Sequence, residues 1–183
     1  MKTNIKTILL APILFLISLL AMTSCDTMIA SSLEGTWTGD MYMCREYAGK
    51  KYYSTHCEIE FVGDPYHVRS GFGYWVDHYS NAPWDYTAYH FDWTVEDRVI
   101  KIHFREDDYY VEIHDYDLDD RYFTGNVFYD GEDQRFELYH TSSPNWSEYR
   151  YGEYANSPYY SPSRAEVNDS VPTSSVRHMR RAQ

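Results

Sequence analysis

The stretch from Arg98 to Asp117, RVIKIHFREDDYYVEIHDYD, admits very few folds. Apolar and polar residues alternate through it with a period of two, the signature of a strand with one buried face. A tight turn centred on Glu106-Asp107 sets Ile100 opposite Ile113, Ile102 opposite Val111 and Phe104 opposite Tyr109. On the other face the same register brings Lys101 to Glu112 and Arg105 to Asp108. One pairing therefore collects the apolar residues on one side and the opposite charges on the other. A slip of one residue would mix the two faces.

The pattern extends in both directions. Candidate strands are 35–44, 52–62, 67–78, 85–95, 98–105, 108–116, 121–129 and 134–141. Phe91, Trp93 and Val95 alternate, as do Ile59 and Phe61. Asp130-Gly131-Glu132-Asp133 offers a loop that sets Val127 against Phe136. Eight strands joined by short connections predict an all-β fold, a single antiparallel eight-stranded up-and-down barrel, because closure removes the exposed edges of a long sheet. An interior of that size is filled by side chains or holds one small ligand.

The segment LEGTWTGDMYM opens the first strand with Gly35-Thr36-Trp37. It resembles the Gly-x-Trp opening of lipocalin-type barrels, in which the Trp plugs one end. WTVEDRVIKIHF, YYVEIHDYDLDDRYFTGNVFYDG and RFELYH are similar to segments of small lipocalin-like lipoproteins of Gram-negative bacteria. The resemblance spans roughly residues 34–141 and implies a ligand-binding barrel, although fold alone does not fix activity. The long C-terminal helix of many lipocalins has no counterpart here.

The N-terminus has a different character. Lys2 and Lys6 precede an apolar run from Ile8 to Met22, which is 15 residues long. That is short for a spanning helix, which needs about 20, and it suits a signal-peptide core. Met22-Thr23-Ser24-Cys25 resembles a bacterial lipobox, an aliphatic residue and two small ones before cysteine, with Met22 where Leu is usual. The resemblance implies cleavage before Cys25, acylation of its thiol (palmitate among the chains) and a domain anchored in the cell envelope, at the outer membrane, with the face left open. The resulting division is a signal peptide over 1–24, a lipidated tether over 25–33, a barrel domain over 34–145 and a disordered tail over 146–183 rich in Ser, Pro, Asn and Arg.

Charge narrows the partners. Removing residues 1–24 takes two lysines and no acids from 16 Lys plus Arg, leaving 14 against 28 Asp plus Glu, a net −14. The tail carries five Arg against four acids, so residues 25–145 hold −15. Such acidity disfavours nucleic acid and suits a cationic protein partner.

Two further cysteines, Cys44 and Cys57, stand in the first hairpin of a chain read as exported. A bridge between them would close 14 residues and contribute about 3 kcal/mol, with two separate thiols as the alternative. No nucleophile elbow, His-Glu-x-x-His or Cys-x-x-Cys is present, so no catalytic residue, metal or cofactor is assigned. His67, His78, His90, His103, His114 and His140 fall at scattered strand and turn positions and read as exposed, solvated side chains.

The candidate ligand site is GFGYWVDHYSNAPWDYTAYHF, which places Trp75, Tyr79, Trp84 and Tyr86 around a loop at a barrel mouth. Gly71 and Gly73 leave space on the preceding strand, and Asp77, Asn81 and Asp85 supply polar handles. Exposed rings there would stack on a sugar or capture an apolar group; alternatively the same rings cover the end of the core. Two functions follow. One is a lipid-anchored module binding a small hydrophobic or saccharide ligand at the mouth, without catalysis. The other is a protein-interaction or inhibitor module acting on a cationic protein, favoured if Trp37, Met41, Phe91, Trp93, Ile102 and Phe104 fill the interior.

Overall fold

A computed structural model describes residues 25–129, 131–152 and 177–179. Residues 25–33 are helical (α1) and lead into eleven strands. These are β1 (Gly35–Asp40), β2 (Met43–Tyr47), β3 (Lys50–Tyr53), β4 (His56–Gly63), β5 (Ser70–His78), β6 (Tyr86–Glu96), β7 (Val99–Phe104), β8 (Tyr109–Leu118), β9 (Tyr122–Tyr129), β10 (Glu132–Thr141) and β11 (Arg177–Met179). A 3₁₀ turn, η1, spans Trp146–Glu148.

Eight of the strands close an antiparallel up-and-down barrel in the order β1-β10-β9-β8-β7-β6-β5-β4, with β4 paired back onto β1. The β7–β8 register matches the sequence reading pair for pair: Ile100 with Ile113, Lys101 with Glu112, Ile102 with Val111, Phe104 with Tyr109. Arg105 differs. It turns away from Asp108 and forks onto the Asp92 carboxylate across β6, which holds that carboxyl below the usual range.

Three element boundaries differ from expectation. The first predicted strand breaks after Asp40, whose carboxylate accepts the Tyr42 N–H at 2.6 Å while Tyr42 sits at φ 57°. The chain then forms a hairpin, β2–β3, turned by Ala48-Gly49 at φ 50° and 73°, the primed geometry that suits strand twist. β2 and β3 join β11 in a separate three-stranded sheet. Between β9 and β10 the pairing is Tyr129 with Glu132, so Gln134 rather than Phe136 faces Val127. Gly131 at φ 80° permits this shorter connection. Residues 146–152, expected in a disordered tail, are ordered against the barrel, and the β11 backbone pairs with β2. The remainder of that tail and residues 1–24 lie outside the described residues.

The core is one continuous cluster inside the barrel. Trp37, Met41, Phe91, Trp93, Ile102 and Phe104 are each 0–1% exposed within it, so side chains fill the interior. Phe61 meets Phe91, Trp93 and Phe123 edge-on at 5.2–6.5 Å, the favoured arrangement for aromatic pairs. Gly71 and Gly73 do not leave open space. They face Trp93 and Phe91 across the β5–β6 ladder, and those rings occupy the volume a side chain would take.

The two ends of the barrel differ. One is closed by α1, whose Ala30 and Leu33 are fully buried and whose Leu33 carbonyl accepts the Trp37 indole N–H at 2.9 Å. Trp37 packs edge-on against Phe123 and His140 here, as its Gly-x-Trp context implies. Residues 25–33 are therefore a docked helical segment where a tether was expected. At the opposite end lie the β2–β3 hairpin, the 79–85 loop and the β7–β8 and β9–β10 turns.

Candidate functional site

The hairpin end carries a layer of buried polar side chains. Asp77 and Thr87 oppose each other across β5 and β6, and both are buried. They follow Trp75 and Tyr89 on the inward faces, and the Trp75 indole N–H donates to Asp77 Oδ1 at 3.0 Å. From the hairpin, Arg45 reaches in with only 4% of its surface exposed and donates through Nη1 to the Tyr89 hydroxyl at 2.8 Å. A buried guanidinium needs such partners to offset lost hydration.

The roof over this layer is aromatic. Trp84, from the 79–85 loop, meets Tyr47 of β2, Tyr52 of β3 and Tyr79 edge-on at 5.4, 5.3 and 5.9 Å. The Arg45 guanidinium lies 5.7 Å from the Trp84 ring centroid, within cation–π reach. The loop itself is tied by Tyr79 N–H to the Asp85 carbonyl at 2.8 Å. Within this box the Trp84 indole nitrogen is buried and has no hydrogen-bond partner among the described residues. Buried donors are nearly always satisfied, so this one marks a group that the fold itself does not use.

The four predicted ligand-site aromatics thus separate into three places. Tyr79 and Trp84 come together in the roof. Trp75 is fully buried inside the barrel and packs on Phe104. Tyr86 lies on the outer wall against Tyr149 at 5.0 Å. There Glu58 accepts from the Tyr149 hydroxyl and lies 3.0 Å from His78 Nε2, while His56 stacks on His78 at 4.3 Å. Burial, then the neighbouring His78, lowers the pKa of His56. Burial and the Glu58 hydrogen bond push Tyr149 up to about 12.

Arg45, Tyr47, Tyr52 and Tyr89 escaped the sequence reading. MCREYAGKKYY does hold the signal, an Ala-Gly turn flanked by tyrosines, but it falls where a continuous strand was expected. Cys44 and Cys57 are both buried. Cys57 belongs to the inward face of β4, whereas Cys44 belongs to the separate hairpin sheet. Five of the six singled-out histidines are not simply solvated: His67, His78, His90, His103 and His114 each approach a carboxylate within 3.0 Å. Among the described residues no three His, Cys, Asp or Glu side chains converge as metal ligands.

What this end offers is recognition: ring faces and edges, the Arg45 guanidinium, the Lys50 ammonium 4.9 Å from the Tyr52 ring centroid, and the spare Trp84 donor. No curated protein and no solved structure gives a match to the chain. A model of the lipocalin-like domain matches residues 33–125, just over half of the 183 residues, and covers α1's last residue through the first half of β9. With its closed eight-stranded barrel, a shape that fits ligand binding, the chain belongs to the lipocalin-like domain family.

Proposed function

We propose that this protein is a lipid-anchored envelope binding protein that takes a small ligand at the hairpin end of its barrel and performs no catalysis on it. Lipocalin-like proteins are generally non-catalytic binders. The observation that carries the proposal is the buried, unused indole N–H of Trp84, set among Tyr47, Tyr52, Tyr79 and the Arg45 guanidinium. A small hydrophobic or saccharide ligand bearing an acceptor oxygen satisfies that donor while its body stacks on the rings. Because aromatic side chains fill the interior, the ligand sits under the β2–β3 hairpin and not along the barrel axis. Cys25 holds the domain at the bacterial outer membrane through its acyl chains.

The filled interior also favours the second reading, an interaction module that meets a cationic protein through its acidic surface, net −15 over residues 25–145. Native mass spectrometry of the full chain, extracted gently from a bacterial envelope, separates the two. A mass excess lost on denaturation, and reduced by Trp84→Phe, is expected for the mouth binder. A bare mass together with capture of a basic protein at low salt only would sink the first reading in favour of the second.

A further inference from the structure

We infer that the α1 end of the barrel rests directly on the lipid bilayer, with Met28, Tyr66 and Val68 in its interface and the hairpin end pointing away. The inference rests on the anchor reading for Cys25. Its own basis is the absence of slack after that residue. Asp26 is 4% exposed, and its carboxylate accepts the backbone N–H groups of Asp97 and Arg98 at 3.2 and 3.0 Å and lies 3.5 Å from Arg69 Nη1. Residue 26 is thus fixed to the β6–β7 turn, so an acyl chain on Cys25 leaves the molecule at the barrel's end.

The surface around that exit suits lipid. Buried positions 26, 30 and 33 mark the inner stripe of α1, while Met28 is 69% exposed. The 64–69 loop flanks α1 through Arg69 and presents Tyr66 and Val68, 87% and 69% exposed. Exposed rings with polar tips are the side chains that favour a membrane interface. At least two signals are needed for stable attachment by acyl chains, and an apolar rim beside the anchor supplies a second. Exposed acids and arginines alternate on the turns of the same end, Asp97 with Arg98 and Asp119 and Asp120 with Arg121, so no uniformly basic patch faces anionic lipid and the contact is apolar.

The test uses the full chain in vesicles of phosphatidylethanolamine and phosphatidylglycerol. A fluorophore is placed by Met28→Cys, Val68→Cys, Tyr53→Cys or Tyr110→Cys and quenched by nitroxide-bearing lipid. Quenching several-fold stronger at 28 and 68 than at 53 and 110, and unchanged in high salt, is expected. Equal, weak quenching at all four sites in a chain that still floats with vesicles overturns the inference and leaves the anchor standing. A chain that neither floats nor carries acyl mass on Cys25 overturns both.

Discussion

Gly73 shows how a single residue sets the character of this interior. It lies on the inward face of β5 opposite Phe91, and a β-carbon there would collide with the Glu60 carbonyl and the Phe91 ring. The Glu60 carbonyl yields only by straining the ladder, because β5 is paired with β4 on one side and β6 on the other. A methyl group therefore displaces the ring, and Phe91 packs on Phe61 and Phe104. Overpacking of this kind costs about 1–3 kcal/mol. Gly73→Ala is expected to lower the urea midpoint accordingly without loss of strand content. Gly131→Ala, at a turn with open space around it, meets only the strain of its positive φ. A Gly73→Ala protein as stable as the wild type would show that β5 and β6 are farther apart than described.

Elements divide into those the sequence announces and those it hides. The β7–β8 hairpin was legible because each face is chemically pure over five consecutive pairs. Barrel closure was legible too, since eight alternating strands have few other ways to hide their edges. The β2–β3 hairpin was not, because Met41, Met43 and Cys44 are all buried and continue the apolar run through a break that Tyr42 makes at φ 57°. Residues 146–152 were hidden by composition: Ser, Pro and Asn outweighed Trp146, Tyr149 and Tyr151. Those rings lie along the outer wall, with Trp146 stacked on Tyr74 at 5.2 Å and Tyr151 tilted on His90 at 3.8 Å. At the candidate site the 79–85 loop was legible from its aromatics, whereas Arg45 was not, since a lone arginine carries no sign that it will be buried. α1 was hidden by its shortness and is held in large part by tertiary contacts. Asp26 is the strongest of them, joining the segment to a turn whose Asp97 and Arg98 both have positive φ, 53° and 64°. Asp26→Ala leaves two N–H groups without their charged acceptor and is expected to cost about 1–3 kcal/mol. Hydrogen exchange should quicken at Asp97, Arg98 and α1 while the β9–β10 amides hold. Uniform loss of protection would mean that α1 is integral to the barrel and not a docked plug.

At the scale of the whole molecule, tyrosine chemistry couples both ends of the barrel to pH. Tyr116, whose hydroxyl is buried near α1 with no hydrogen-bond partner among the described residues, is pushed up to about 12 by burial. Tyr149, on the outer wall, is raised to about 12 by burial and then by Glu58, and Tyr151 beside it is raised further by burial and Tyr74. In the unfolded chain all three ionise at the ordinary tyrosine value of about 10. Between that value and the folded values the native state holds more protons than the unfolded one, so stability falls as pH rises. Below about 10 both states are protonated and these groups impose no slope. Each tyrosinate also adds negative charge to a chain already at −15 over residues 25–145, which favours expansion. Tyrosinate absorbance should therefore show a late-titrating class that appears together with loss of near-ultraviolet circular dichroism. Tyr116→Phe, Tyr149→Phe and Tyr151→Phe combined should flatten the fall in urea midpoint between about pH 10 and 12. A single titration wave near 10 in a still-folded protein would place all three hydroxyls in solvent and detach residues 146–152 from the barrel wall.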